Sequence, residues 1–460
     1  MIERLVIFGA AGDLTSRYLL PALARLHEDG HLPDGFRLDA ISRDDLSTDA
    51  FRDGLKAPLE RHAGGTSADA RRAVLEAVTY HRADATDPDS IGPILGTDGE
   101  PVIVYLALPP GIFHPVVEAI LACGIGDESR LVVEKPHGED LDSTRSLNAL
   151  LHKRFPEESI FRIDHFLGHQ TVQNLLGLRF GNRLFEPVWN AHHVASIEIR
   201  FDETLALEGR AGYYDRTGAL KDMLQNHLLQ LLCFVAMEPP LGYNPRDLRD
   251  KKVELLRAVR TLSRREVEAH TIRARYTAGR IGDLEVPSYV EETDVDPEQD
   301  TETFAQVTLF VDNWRWAGTP FILRSGKALA SDRQEVVIRF RETPFSMFRD
   351  SGRPRQNSLR LTIDPDRMSL GINLNGAGDP IELEAASLDL DLAPQRLPAY
   401  ARLLLDLFDG DATLSVRADE AEEAWRIVAP ILEAWQDDVV PMRTYEAGRE
   451  FEPDTRPSPR

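Results

Sequence analysis

Three short segments concentrate side chains able to move protons and hold hydroxyls: Glu134-Lys135-Pro136, Arg162-Ile163-Asp164-His165 and Gln225-Asn226-His227. Oxidising an alcohol by hydride transfer requires a base that takes the hydroxyl proton as the hydride leaves the same carbon, and an imidazole titrates near working pH. A carboxylate that holds the imidazole in one tautomer makes that base stronger and better aimed, a task suited to an aspartate. Lysine and further carboxylates can then fix the remaining hydroxyls of the substrate. Any one of these segments taken alone reads more simply as a helix cap, surface charge or a satisfied core histidine. The three together shift the balance toward chemistry.

A fourth segment, Gly9-Ala10-Ala11-Gly12-Asp13-Leu14, lies between a short apolar run and a helical pattern. Glycines in that place let the backbone approach a pyrophosphate, and the following helix N-terminus favours anions. The pattern is G-x-x-G without a third glycine, so by itself it also fits a tight turn with no ligand. The next strand ends in Ser42-Arg43, where a hydroxyl and a guanidinium suit a ribose 2′-phosphate and so favour NADP over NAD. Asp44 and Asp45 follow, either repelling that phosphate or facing solvent, and NAD stays open.

These segments need elements to position them. Apolar strands at 4–9, 36–42, 101–108 and 130–134 alternate with helical stretches, the first at 16–28, where Pro21 delays or kinks the helix. That alternation predicts a parallel sheet covered by helices on both faces, with ligands at the carboxyl ends of the strands. Beyond residue 162 a helix at 171–180 gives way to strands at 194–201, 303–311, 335–341, 358–363 and 367–374, which predict a large, mainly antiparallel sheet. Helices at 398–409 and 419–436 are expected to close that second half. The expected organisation is an α/β Rossmann-like dinucleotide-binding domain over 1–162, an α+β substrate-binding and oligomerisation domain over 163–452, and a disordered polar tail over 453–460.

Length and charge bound the rest. The chain of 460 residues exceeds one compact core, and its formal net charge of −23 disfavours nucleic acid and anionic membrane surfaces. Any anionic ligand must therefore be held by local cations. No stretch approaches the ~20 apolar residues of a membrane span, and the N-terminus lacks a signal-peptide layout, so a cytoplasmic location is expected. Cys123 and Cys233 lack partners at metal-ligand spacing and read as buried spacers, and His192-His193 reads as a solvated turn, so no metal is expected.

The strings FGAAGDL, EKPHG, RIDHFLG, GALKDMLQNHLLQ and TETFAQVTLFVDNWRWAGTPFILRSGKAL run in order along nearly the whole chain. In sequence and spacing they resemble the landmarks of glucose-6-phosphate dehydrogenases. The resemblance implies NADP-dependent oxidation of a hexose at C1 to the lactone, with glucose 6-phosphate as the default substrate and a homodimer or homotetramer as the assembly. It implies that His227 is the base, that Asp164 pairs with it, and that Lys135 touches substrate and cofactor beside a cis Pro136. It further implies that His165, His169, Glu203, Asp222 and Lys327 hold the substrate. Gly9, Gly12, Asp13, Leu14, Ser42 and Arg43 fall in the cofactor site.

Departures cluster where that family grips the substrate phosphate. A tyrosine and a lysine expected after RIDH are Phe166 and His169, a lysine in the first helix is Tyr18, and a basic residue after the glycine-lysine pair is Asp332, followed by Arg333. Each lost charge-assisted bond to a phosphate costs roughly 1.5–3 kcal/mol. Either His169 or Arg333 takes over the grip, or the substrate is a hexose that lacks the 6-phosphate or carries another group there. A non-catalytic sugar- or nucleotide-binding paralogue is a further reading, against which the joint retention of Asp164, His227 and Lys135 speaks. Glu203 and Asp222 likewise disfavour a reductase acting on another carbonyl compound.

Overall fold

The computed structural model describes residues 2–96, 99–207, 211–348, 354–376, 382–393 and 395–453. These form two compact units, the first comprising 1–170, 240–250 and 395–422, the second 171–239, 251–394 and 423–460, each within the described residues.

The first unit is built on a six-stranded sheet: β1 (Arg4–Phe8), β2 (Arg37–Ser42), β3 (Val78–Arg82), β4 (Ile103–Leu106), β5 (Arg130–Glu134) and β6 (Ile160–Ile163). Every neighbouring pair is parallel, in the order β3-β2-β1-β4-β5-β6. Leu5 to Phe8 and Ile103 to Leu106 are buried along their whole length, as a parallel sheet covered on both faces demands. The order reverses between β1 and β4, which opens a crevice at the carboxyl ends of the strands.

Two strands of this sheet are not separable in the sequence. β3 lies inside what reads as one long amphipathic segment, and β6 spans only four residues, so the strand expected third, over 101–108, is the fourth and covers only Ile103–Leu106. Pro21 causes no break. A π-helical turn, Thr15–Leu19, runs directly into the α-helix Leu20–Glu28, the Leu20 N–H donating to the Thr15 carbonyl, and Pro21 sits at the junction, where the pairing changes from π to α and its missing N–H is accommodated without ending the helix. The helix Ala399–Asp409 belongs to this unit, not to the C-terminal half expected for it. Arg130 donates to the Leu407 and Phe408 carbonyls at that helix's C-terminus, where cations are favoured.

The second unit is built on β7 (Val194–Asp202), β8 (Thr271–Thr277), a hairpin of β9 (Gly279–Ile281) and β10 (Leu284–Val286), β11 (Phe304–Phe310), β12 (Pro320–Gly326), β13 (Arg333–Phe340), β14 (Ser358–Thr362), β15 (Arg367–Asn375), β16 (Leu383–Asp391) and β17 (Met442–Glu446). Nine of them form one sheet in the order β16-β15-β14-β13-β7-β12-β11-β8-β17. It is mainly antiparallel, as the alternation predicts, and the pairs β7–β12 and β8–β17 are parallel.

Register sorts this sheet into two faces. Ile199 pairs with Val336 and Leu323 on one face, while Arg200 pairs with Glu335 and Arg324 on the other. The charged face is buried by mutual neutralisation: Arg200 grips Glu198, Arg324 grips Asp202, and Glu452 accepts from Arg200, Arg324 and Arg333 at 2.9 to 3.1 Å. Glu452 therefore pins the end of the described chain, and 454–460 of the expected tail lie outside the described residues. Among the described residues no helix is long and apolar enough to cross a membrane.

Candidate active site

Four of the predicted segments stand at carboxyl ends of parallel strands in the first unit. After β1, Gly9 takes a positive φ of 80°, and both its N–H and that of Ala10 donate to the Ile41 carbonyl at 2.9 and 3.0 Å. A Cβ at Gly9 would lie 2.2 Å from the Ala107 carbonyl oxygen, so glycine is required here by conformation and by space. The Gly12 N–H closes the turn on the Gly9 carbonyl at 3.0 Å, and Gly12 and Asp13 face solvent while Leu14 is half-buried.

At the end of β2 the Ser42 hydroxyl lies 2.7 Å from the Tyr80 hydroxyl and 3.1 Å from the Asp44 carboxylate. Asp45 pairs with Arg82 at 3.1 Å, so Asp44 and Asp45, the residues that weigh against a nearby phosphate, are both engaged locally. Arg43 is exposed. This cradle fits a dinucleotide: a tight turn that admits no Cβ at Gly9, with a hydroxyl and a guanidinium at the next strand end.

β5 ends in Glu134, followed by the cis peptide Lys135-Pro136 that the resemblance implies. The Tyr105 hydroxyl donates to Glu134. Burial pushes the Glu134 carboxyl up to about 7, opposed by the Tyr105 bond and the Lys135 charge and reinforced by Asp164.

β6 delivers Asp164, which is buried and accepts the Phe166 N–H at 3.0 Å, capping the 3₁₀ turn His165–Gly168. His165 stacks on Tyr400 with ring centroids 5.6 Å apart and planes 12° apart, and Tyr18 tilts against Tyr400 at 5.2 Å. His169 lies 6.3 Å from His165 and meets Phe166 edge-on at 5.8 Å. Tyr18, Phe166 and His169, three of the positions that depart from the resemblance, thus share one ring cluster with His165. Tyr400 is a member that no local signal reveals, because it comes from a helix more than two hundred residues later.

The second unit carries the remaining predicted residues. Asp222 and His227 sit on the π-helical segment Leu220–Leu228, a geometry frequent at functional sites. The helix packs against β7, β11 and β12. Its first amide, Leu220 N–H, donates to Glu302 at 2.9 Å, and burial pushes that carboxyl up to about 7. Glu302 is a second residue missed in the sequence: just before β11, it anchors the segment that bears the candidate base. His227 is almost fully buried, and its N–H donates to the Asn226 side chain at 2.6 Å. Tyr213 is hydrogen-bonded to Asp222, and burial together with that carboxylate pushes its hydroxyl above the usual range.

Glu203 and Lys327 form an ion pair of 2.7 Å dictated by sheet register, because Asp202 and Gly326, the partnered last residues of parallel β7 and β12, immediately precede them. The Lys327 ammonium also stands 5.2 Å from the centre of the Tyr214 ring. Asp332, which stands where the resemblance leads one to expect a basic residue, accepts the Thr204 N–H at 2.7 Å and hydroxyl at 3.1 Å. Arg333, its proposed substitute, is engaged by Glu450 and Glu452. The predicted residues thus fall into two sets. Gly9, Gly12, Asp13, Leu14, Ser42, Arg43, Lys135, Asp164, His165 and His169 lie in the first unit, and Glu203, Asp222, His227 and Lys327 in the second.

Two family models match, the "Glucose-6-phosphate dehydrogenase, NAD binding domain" over 6–174 and the "Glucose-6-phosphate dehydrogenase, C-terminal domain" over 176–456. The glucose-6-phosphate 1-dehydrogenase of Zymomonas mobilis is 40% identical over 467 residues, covering 97% of this chain and 95% of that protein. The one from Treponema pallidum is 41% identical over 468 residues, covering 96% and 91%. Among solved structures, a glucose-6-phosphate dehydrogenase in complex with its substrate glucose-6-phosphate superposes with a TM-score of 0.89 at 32% identity, covering 98% of this chain and 96% of that one. The Mycobacterium avium glucose-6-phosphate 1-dehydrogenase superposes with a TM-score of 0.85 at 35% identity, covering 97% and 94%.

Proposed function

Because the chain belongs to the glucose-6-phosphate dehydrogenase family, we propose that it oxidises glucose 6-phosphate at C1 to the lactone with NADP, and that His227 is the base. NADP supplies the nicotinamide that accepts the hydride. The chain's own residues do the rest: His227 takes the C1 hydroxyl proton, Asp164 orients that imidazole and stabilises it once protonated, and Lys135 touches sugar and cofactor. Glu203, Asp222 and Lys327 fix the other hydroxyls, with His165 and His169 toward the 6-position. Gly9, Gly12, Asp13 and Leu14 hold the pyrophosphate, and Ser42 with Arg43 the ribose 2′-phosphate. The observation that carries this reading is the anchored π-helix, which presents a buried imidazole on a segment fixed by Glu302 and packed on the sheet that ends in the Glu203–Lys327 pair.

A second reading, the same oxidation on a hexose without the 6-phosphate, is favoured by the ring cluster and by the engagement of Asp332 and Arg333 elsewhere. Initial rates on glucose 6-phosphate and glucose, with NADP and with NAD, separate the two. Two charge-assisted bonds to a phosphate correspond to a preference of about 10²- to 10⁴-fold in kcat/KM for the ester. A ratio near one would replace the first reading with the second.

The assembly reading is a homo-oligomer, supported by the outer strands of the large sheet. Met368, Leu370 and Ile372 on β15 face Leu390, Leu388 and Ala386 on β16 and continue the buried row Leu359 and Leu361 of β14, yet Leu374, Leu388 and Leu390 are exposed. An apolar sheet face of this kind is covered by a partner, and a second copy is the reading we adopt. Sedimentation is expected to give a dimer or tetramer that Leu388→Lys with Leu390→Lys dissociates, and a monomeric wild-type mass would refute it.

A further inference from the structure

Glu134 has no role in the steps above, yet it is the buried carboxyl nearest in sequence to Lys135. We propose that Glu134, held by Tyr105, is a positioning residue whose ionisation governs how Lys135 is presented at the carboxyl end of β5, so that turnover depends on a buried carboxyl as well as on the imidazole of His227.

The arrangement follows from register. Tyr105 on β4 pairs with Val132 on β5, which places its ring on the same face as Glu134, one diagonal step along. Glu134 in turn pairs with Ile163, the residue before Asp164. The tyrosine is fully buried and the carboxyl nearly so, and the Tyr105 hydroxyl donates to the carboxyl. The charged or titratable groups facing Glu134 are Tyr105 from β4, Lys135 beyond its own strand, Asp164 beyond β6, and Tyr400 from the helix Ala399–Asp409. Burial and the neighbouring carboxylates hold both tyrosine hydroxyls well above their ordinary range, so both stay protonated donors. Glu134, pushed up to about 7, is the member of this set that changes charge around neutrality.

The sign follows. Below about 7 the carboxyl is neutral and adds no negative charge to the surroundings of Lys135; as pH rises, the carboxylate forms, is compensated by the Lys135 charge and the Tyr105 bond, and steadies the ammonium. Deprotonation of Glu134 and of the base then both favour turnover, so the acid limb of kcat/KM steepens beyond a single ionisation.

This inference rests on the sugar-dehydrogenase reading, and two measurements keep their failures apart. In the first, kcat/KM for glucose 6-phosphate is followed against pH for the wild type, Glu134→Gln, Glu134→Asp and Tyr105→Phe. Glu134→Gln is expected to lose one ionisation from the acid limb and about tenfold of the plateau. Tyr105→Phe, lacking the bond that favours the carboxylate, is expected to move the inflection up by about one pH unit. Glu134→Asp restores the second ionisation. A purely structural role lowers all rates evenly and leaves slope and inflection unmoved, which would overturn the proposal. In the second, infrared difference spectra between about pH 6 and about pH 8 are expected to contain carboxylic-acid absorption to which Glu302 also contributes, and subtracting the Glu134→Gln spectrum from the wild-type one is expected to leave one band, that of Glu134. A wild type without hexose turnover refutes the dehydrogenase reading alone, since the infrared band still reports on Glu134, while a missing band refutes the proposal whatever the turnover.

Discussion

Replacing His227 by asparagine is expected to lower kcat for glucose 6-phosphate by about 10²- to 10⁴-fold, the contribution of a positioned general base. Asparagine is polar and near in size, but it cannot take a proton from the C1 hydroxyl. The helix that carries residue 227 is fixed from outside the residue, by Glu302 at its first amide and by packing on three strands, so the substitution leaves the frame in place. NADP affinity is the internal control. The cradle proposed for the dinucleotide, Gly9, Gly12, Ser42 and Arg43, lies in the other unit, so the cofactor dissociation constant should stay within about twofold of wild type. Loss of turnover with intact cofactor binding identifies a chemical role; turnover within tenfold of wild type would remove His227 from the mechanism.

Replacing Asp164 by asparagine is expected to cost about 10²- to 10⁴-fold in kcat with a smaller change in KM. The substitution is informative because it separates the cap that the residue forms from the catalytic duty proposed for it. One oxygen caps the turn by accepting the Phe166 N–H, and an asparagine oxygen can still accept that bond, so the His165–Gly168 turn and its rings should persist. The negative charge is what disappears, and with it the group proposed to hold the imidazole in one tautomer and to stabilise it once protonated. Circular dichroism and melting behaviour close to wild type alongside the rate loss would place the effect in the charge. A melting temperature that falls in step with activity would mean that the cap, not the chemistry, was lost.

Much of the first unit is legible in the sequence because its signals are local. A glycine turn between an apolar strand and a helix marks a candidate anion cradle, and short apolar runs ending in polar residues mark the carboxyl ends of strands, as at Ser42, Lys135 and Asp164, where α/β folds place their ligands. What escapes is set by tertiary partners. β3 has only Val78 and Tyr80 buried, too little pattern to stand out from the helices around it, and β6 is four residues long. Tyr400 and Glu302 are ordinary in their own neighbourhoods and acquire meaning only through His165 and Leu220, which are remote in sequence. The same limit applies to Asp332 and Arg333: their chemistry is readable, but only the loop after β7 and the chain end show that Thr204, Glu450 and Glu452 claim them.

That Asp164 and His227 act as one catalytic unit is tested most directly by a double-mutant cycle on kcat for glucose 6-phosphate: wild type, Asp164→Asn, His227→Asn and the two together. If the carboxylate works only through the imidazole, the double variant will turn over no more slowly than His227→Asn alone. Rate losses that multiply in the double variant would show two independent contributions and contradict the pairing.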